Sequence, residues 1–411
     1  MKTFTKLVIF VLALSFMVFV TFFGRIPALR NTPIGALHKT LWVHIPNALS
    51  RLDERYTGGY VFRGSSRFFN ILMHERHPTV VIFFAAIMIG GEYMFLPAAW
   101  PRLSSYFVKL TVIVTVALPY IFLYLACVSD PGFVTNETHS YHMSLYPYDY
   151  AIFHPGNVCR TCNILKPARS KHCSLCKRCV AKADHHCVFI NSCVGYGNQH
   201  WFILLLASTA LLTTYGGLLG VSLLSAAMRE RYPLLHLWPS WKEGAFQFFG
   251  SWALAMEREV NLGATTLLSL LTSPMVWGLL AYTLYHVYRG FTTNESLKWS
   301  DWQEDIGDGY AFTRPLPGSR VKNRQIEPLC PRWPVEPQMV LMATTDGQPP
   351  TSSGRSLPGA GDWKRIQSIQ EVENMYDLGF WDNLADVFVE SYGFGVTKDD
   401  LPVDRLRRTR R

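Results

Sequence analysis

Apolar residues along this chain gather into five long runs, at residues 7–23, 78–100, 107–129, 201–227 and 263–288. A helix needs about 20 consecutive apolar residues to cross the hydrocarbon core of a bilayer. All five runs approach or exceed that length, and none contains a run of charge. The later four are therefore predicted to span a membrane. Read instead as core helices of a large soluble protein, they would need more amphipathic helix around them than the chain supplies. The first run, LVIFVLALSFMVFVTFF, follows Lys2 and Lys6 as the core of a signal peptide would. The sequence after it, GRIPALRNTP, offers no small-residue cleavage site directly, and the run is long enough for an uncleaved span. The predicted fold class is an all-α integral membrane helix bundle, with four core spans and an extra N-terminal span.

The segments between the runs complete the layout. An N-terminal span at 1–24 precedes a basic segment at 25–77, two spans at 78–129, a cysteine-rich segment at 130–200, and two more spans at 201–288. A juxtamembrane tail at 289–340 follows. Then comes a stretch at 341–362, rich in Gly, Pro, Ser and Thr and read as a flexible linker, and a final segment at 363–411 with a helical pattern and a basic end, RLRRTRR. No internal repeat is evident.

Charge adds orientation. The 411 residues are 49% hydrophobic and only 17% charged, against about a quarter in ordinary soluble chains. The net charge of +9 is scattered between the spans, with no aromatic–basic interleaving of the kind that binds single-stranded nucleic acid. Residues 25–77 carry eight Lys and Arg against three Asp and Glu, whereas 228–262 has four of each. The positive-inside tendency places 25–77, 130–200 and the tail in the cytosol, and the N-terminus in the lumen. The glycosylation patterns at Asn136 and Asn294 would then be unused. A transporter is set aside because the spans are read as lacking charged residues to carry an ion or substrate.

Seven of the nine cysteines lie between 159 and 193. The order is Cys159-x2-Cys162, His172-Cys173-x2-Cys176-x2-Cys179, His185-His186-Cys187 and Cys193. Paired Cys-x2-Cys knuckles followed by Cys and His are the spacing of tetrahedral structural zinc. Lys, Arg, Asp and Ser around them argue against buried hydrophobes, and a reducing cytosol argues against disulfides. Ten candidate ligands exceed by two the eight that a pair of closed sites would use. Spacing does not say which two are spare, but His185, His186 and Cys187 cannot easily all turn toward one metal. A cysteine left off the zinc, beside a spare histidine and Asp184, has the parts of an activated nucleophile.

The stretch CRTCNILKPARSKHCSLCKRCVAKADHHCVFINSCVGYGNQHWF, residues 159–202, resembles the cysteine-rich domain of DHHC protein S-acyltransferases, the palmitoyltransferases. Three further signatures stand where that family has them: DPG at 130–132, TTNE at 292–295, and YDLGFWDNLADVF at 376–388 with Asn383 at the characteristic asparagine. The resemblance implies a bundle of four or more spans with a cytosolic zinc domain. It implies two structural Zn2+, one held by Cys159, Cys162, His172 and Cys179, the other by Cys173, Cys176, His186 and Cys193. It leaves Cys187 as nucleophile, His185 as base and Asp184 as the group that orients it. The implied reaction moves a long-chain acyl group from acyl-CoA to cysteine thiols of membrane proteins, in two steps through acyl-Cys187. The extra N-terminal span and the long tail look most like the fungal spore-wall-formation type, which acylates SNAREs, in an endoplasmic reticulum or Golgi membrane. The family usually has Pro-Trp after the catalytic cysteine; here Val188-Phe189 keeps an apolar wall without the rigid turn. Lys166, Arg169 and Lys171 are candidates to meet CoA phosphates. Thr292, Thr293 and Glu295 are expected to brace the zinc domain against the last span. Tyr215, Gly216 and Gly217 are candidates to set acyl-chain length. The competing reading is a membrane-anchored zinc module for partner binding or ubiquitin ligation. It accounts for the cysteines and the spans, but not for a surplus Cys187 beside a surplus His185.

Overall fold

The computed structural model describes residues 17, 20, 32–66, 75, 77–233, 237–238, 244–330, 332–351, 357–390 and 392–394. The first apolar run and the basic C-terminal end lie outside the described residues, except for Met17 and Val20. The chain divides into two units, Met1–His77 with Val221–Ala264, and Pro78–Gly220 with Thr265–Arg411. In the first unit, helices Pro33–Lys39 and Ile45–Thr57 are joined by a π-turn at Thr40–His44, and Ala245–Arg258 forms a further helix. The second unit holds every predicted site residue.

Among the described residues, four helices are long and apolar enough to cross a membrane: Thr79–Arg102, Tyr106–Val128, Gln199–Arg229 and Val260–Tyr288. They match the later four apolar runs. Outward residues such as Phe83, Phe107 and Met275 are exposed, as helix faces turned to lipid must be. Within the second unit the helices meet through small residues and buried hydroxyls, the usual adhesives where lipid removes a hydrophobic drive. A Cβ on Gly220 would overlap Thr266. Thr214 bonds Ser273 at 2.8 Å and accepts from Trp277 Nε1 at 2.8 Å. One sequence reading needs correction: Glu92 lies inside the span Thr79–Arg102, so the spans are not free of charged residues.

Between the second and third of these spans lie three two-stranded antiparallel hairpins: Val158–Cys159 with Ile164–Leu165, Lys171–Cys173 with Arg178–Val180, and His185–Cys187 with Ser192–Val194. Their registers coincide. Cys159 faces Ile164, Cys173 faces Arg178 and Cys187 faces Ser192. The turns place Asn163, Lys177 and Asn191 at φ of 53°, 55° and 48°, the left-handed region that lets a short hairpin close. Residues 159, 173 and 187 are fourteen apart, as are 162, 176 and 190. The chain therefore does contain an internal repeat. It escaped the sequence reading because few side chains recur, and the shared feature is backbone geometry.

After the last span, helix Thr293–Gly307 starts at a capping box in which Thr292 and Glu295 satisfy each other's backbone N–H. A three-stranded sheet follows, with Ala311–Pro315 between Met339–Ala343 and Lys364–Arg365. The expected linker at 341–362 thus begins too early. Val340 and Leu341 are fully buried, and their apolar, β-compatible run was outweighed by the Gly- and Pro-rich stretch after it. Among the described residues from 363 onward, helix forms at Ile369–Glu371 (a 3-10 turn) and Phe380–Phe388.

Candidate active site

The hairpins bring two sets of ligand atoms together: Cys159, Cys162, His172 and Cys179, and Cys173, Cys176, His186 and Cys193, with all atoms of each set within 4.8 Å of one another. In the first set His172 Nδ1 lies 3.6, 3.3 and 3.9 Å from the three sulfurs. In the second, His186 Nδ1 lies 3.6, 3.4 and 3.7 Å from its three. A tetrahedral zinc with Zn–S near 2.3 Å and Zn–N near 2.1 Å requires ligand-to-ligand edges of roughly 3.5–3.8 Å. Both sets fit such an ion. Backbone N–H groups of Cys162 and Cys176 also point at the first sulfur of their own knuckle, each at 3.4 Å.

Each set takes its two knuckle cysteines from one hairpin and its histidine and last cysteine from the next. Advancing that rule by fourteen residues once more gives Cys187, Ile190, His200 and Ala207. The third hairpin keeps the first cysteine of a knuckle and has a buried isoleucine in place of the second. Cys187 belongs to neither ligand set.

Beside it, His185 Nδ1 lies 2.5 Å from Asp184 Oδ2. Asp184 is buried and also accepts from the Thr293 backbone N–H at 2.6 Å and the Thr293 hydroxyl at 3.0 Å. Burial opposes charge on Asp184, but the hydrogen bonds of His185 and Thr293 outweigh it and hold its carboxyl below the usual range. Burial likewise opposes a charged His185, yet the Asp184 bond and the Cys187 sulfur push it up to about 10. The imidazole ring stands edge-on to Phe202, centroids 5.3 Å apart. Cys187 is buried in an apolar cluster with Leu123, Ala126, Ile190 and Leu280, against which Phe84 packs. Phe84 meets Phe189 edge-on at 5.8 Å and also lines an apolar cavity of about 300 Å³ between the four spans, as do Tyr215 and Gly216.

The DHHC palmitoyltransferase family matches residues 152–300. The palmitoyltransferase SWF1 of Neurospora crassa is 47% identical over 96% of this chain and 94% of its own length. The palmitoyltransferase swf1 of Schizosaccharomyces pombe is 34% identical over 93% and 96%. The mouse palmitoyltransferase ZDHHC4 is 32% identical over 56% and 69%. The chain belongs to the DHHC palmitoyltransferases.

This palmitoyltransferase anchors its hairpins from three directions. At the end of the second described span, a Cβ on Gly195 would overlap the Pro131 carbonyl, and one on Gly197 the Asp130 carbonyl. Asn198 donates to Cys193 O at 2.9 Å and accepts from Gly195 N–H at 3.0 Å. From the helix that follows the last span, Thr293 holds Asp184, and Glu295 forms a buried bidentate pair with Arg169, Nε–Oε1 2.7 Å and Nη2–Oε2 2.6 Å. The expected bracing role of Thr293 and Glu295 is observed. Arg169 must be corrected. It is buried between the rings of Tyr146 and Tyr376 and so is closed to CoA phosphate. From the C-terminal motif, Asp386 accepts from Lys182 Nζ at 2.7 Å and from the Tyr146 hydroxyl, and it pairs with Arg332. Burial would raise Asp386, but Lys182 and Arg332 hold it down to about 2. Asn383 caps the last span by donating to Tyr288 O at 3.1 Å.

The sequence reading missed Gly195, Gly197, Asn198, Lys182, Arg332 and Asp386. Only the Gly-x-Gly-Asn cluster carried a local signal of close backbone approach.

Proposed function

We propose that this palmitoyltransferase transfers a long-chain acyl group from acyl-CoA to cysteine thiols of membrane-anchored proteins, SNAREs among them, through a thioester on Cys187. One observation carries the reading: a knuckle cysteine without a second ligand stands beside a histidine whose Nδ1 is engaged by a buried aspartate. Asp184 fixes the tautomer and leaves His185 Nε2 for proton transfer. With its Nδ1 held by Asp184, His185 takes the Cys187 proton at Nε2 as general base, giving a thiolate–imidazolium pair.

In the first step the Cys187 sulfur attacks the acyl-CoA carbonyl. The bond from that carbonyl to the CoA sulfur breaks, and the Nε2 proton goes to the departing sulfur. In the second step the neutral imidazole takes the proton of an incoming cysteine thiol. That sulfur attacks the acyl-Cys187 carbonyl, and Cys187 leaves as thiolate, which restores the pair. Each step exchanges one thioester for another, so the enzyme's task is positioning and deprotonation. Cys159, Cys162, His172 and Cys179, and Cys173, Cys176, His186 and Cys193, would each hold one Zn2+, a structural cross-link between successive hairpins. The apolar cavity beside Phe84 would receive the acyl chain. The hairpins and tail would face the cytosol, from an endoplasmic reticulum or Golgi membrane, in keeping with the basic segments and thiol ligands.

Incubated with labelled long-chain acyl-CoA and no protein substrate, the purified protein in lipid should label itself at Cys187, and neutral hydroxylamine should release the label. His185→Ala should slow labelling by about 10²–10⁴-fold. No hydroxylamine-sensitive label would leave the zinc-module reading in its place.

A further inference from the structure

The cavity between the spans has one group in its wall that does not match the rest. Glu92 lines it. Its Oε2 accepts from the Tyr120 hydroxyl at 2.8 Å, while its Oε1 is buried with no hydrogen-bond partner. The hydroxyls nearby are engaged elsewhere. Thr115, Thr209, Thr213 and Thr272 bond back to carbonyls of their own helices at 2.8–3.0 Å. The Tyr215 hydroxyl pairs with that of Thr111 at 2.8 Å. Polar groups in a span are costly and mark function when they are kept.

Depth gives the position meaning. At 1.5 Å per residue, Glu92 lies about 12 Å along its helix from Phe84, and Phe84 touches Phe189, two residues from Cys187. A lipid chain fills about 15 Å, half of the roughly 30 Å hydrocarbon core. A long chain attached to Cys187 and laid along the cavity therefore reaches Glu92 near its far end.

We propose that Glu92 limits the length of acyl chain that the enzyme accepts. The inference rests on the reading that the cavity takes the donor's chain. A chain that ends short of Glu92 leaves room for water to satisfy the carboxyl. A chain that runs past it excludes that water and leaves a buried acceptor unsatisfied, a penalty of about tenfold or more in relative rate. A Glu92 that merely ties two spans together would instead alter the rate for every donor alike.

The test is self-acylation of the full-length protein in lipid nanodiscs, with sixteen- and twenty-carbon acyl-CoA in competition. The unmodified protein should prefer the sixteen-carbon donor. Glu92→Leu should raise the twenty-to-sixteen ratio about tenfold or more, and Glu92→Gln, which keeps a polar oxygen, should leave the ratio near its original value. Tyr120→Phe frees the second oxygen and should lower the ratio further. An unchanged ratio in Glu92→Leu would overturn the proposal. So would a ratio raised equally by Glu92→Leu and Tyr120→Phe, the mark of a loosened bundle. Absence of any label on the unmodified protein would instead strike the acyltransferase reading on which the proposal rests.

Discussion

Replacing Arg169 by methionine removes a cation that is only 2% exposed and is bound to a carboxylate that is 1% exposed. Three hydrogen bonds go with it: two to Glu295 and one, at 2.8 Å, to the Gly290 carbonyl. Glu295 would then stay buried with the Thr292 N–H, 2.8 Å away, as its remaining donor. Removing one partner of a buried pair costs about 3–5 kcal/mol, chiefly because the other charge is stranded. Glu295→Leu should cost that much plus about 1 kcal/mol for the lost capping box. Arg169→Met combined with Glu295→Leu should cost far less than the sum, because neither charge is stranded, and a coupling of at least about 2 kcal/mol is expected. The assay is urea-induced unfolding of the hairpin domain in the full-length protein, read by release of zinc to a chromogenic chelator. Single variants within about 1 kcal/mol of the unmodified protein would refute the argument. So would a double variant at the full sum of the two, because the pair would then be incidental.

Three further variants test the ligand assignment. Cys176→Ser should lose one of two bound zinc ions and unfold the domain at far lower denaturant, because structural zinc carries on the order of 10 kcal/mol of folding energy; Cys187→Ser should keep both ions, as counted by elemental analysis, yet form no thioester. Ile190→Cys restores the second knuckle cysteine of the third hairpin and should make Cys187 a metal ligand, with extra Cd2+ uptake visible as thiolate-to-metal absorbance and a loss of self-acylation that a chelator partly reverses.

The parts of this molecule that were legible in its sequence are those coded locally. A run of apolar residues long enough to cross a bilayer can be read without knowing its neighbours, and Thr79–Arg102 through Val260–Tyr288 appear where the runs stand. The ten candidate ligands were equally visible. Their partition was not legible from spacing, since each set borrows two ligands from the following hairpin and depends on how the hairpins stack. Arg169 was misread for the same reason. In a basic segment it resembles any surface cation, and the acid that buries it stands 126 residues further along. Glu92 was overlooked because a single carboxyl barely lowers the average hydropathy of a long apolar run. Asp386, Lys182 and Arg332 come from three separate stretches, and nothing near any of them announces the others.

The repeat bears on how a short hairpin would hold the proposed nucleophile steady. The first two hairpins would each be tied to the next by a metal, and the ties reach the third through His186 and Cys193, a cross-strand pair next to Cys187. Cys187 would therefore inherit a position fixed by those ties while its sulfur lies outside both ligand sets. Ile190 is what keeps it so. A second cysteine there would complete half of a tetrahedral site, and a thiolate bound to zinc is a weaker nucleophile than a free one. Among the described residues the third hairpin starts no further ligand set, and other contacts anchor it: Thr293 on Asp184, Asn198 on Cys193 and Gly197 against Asp130. These are hydrogen bonds and close backbone packing, which cross-link without consuming the sulfur. On the proposed role of Cys187, the nucleophile would thus occupy the position of a knuckle cysteine, at which hydrogen bonds and close packing hold the backbone and leave the thiol available.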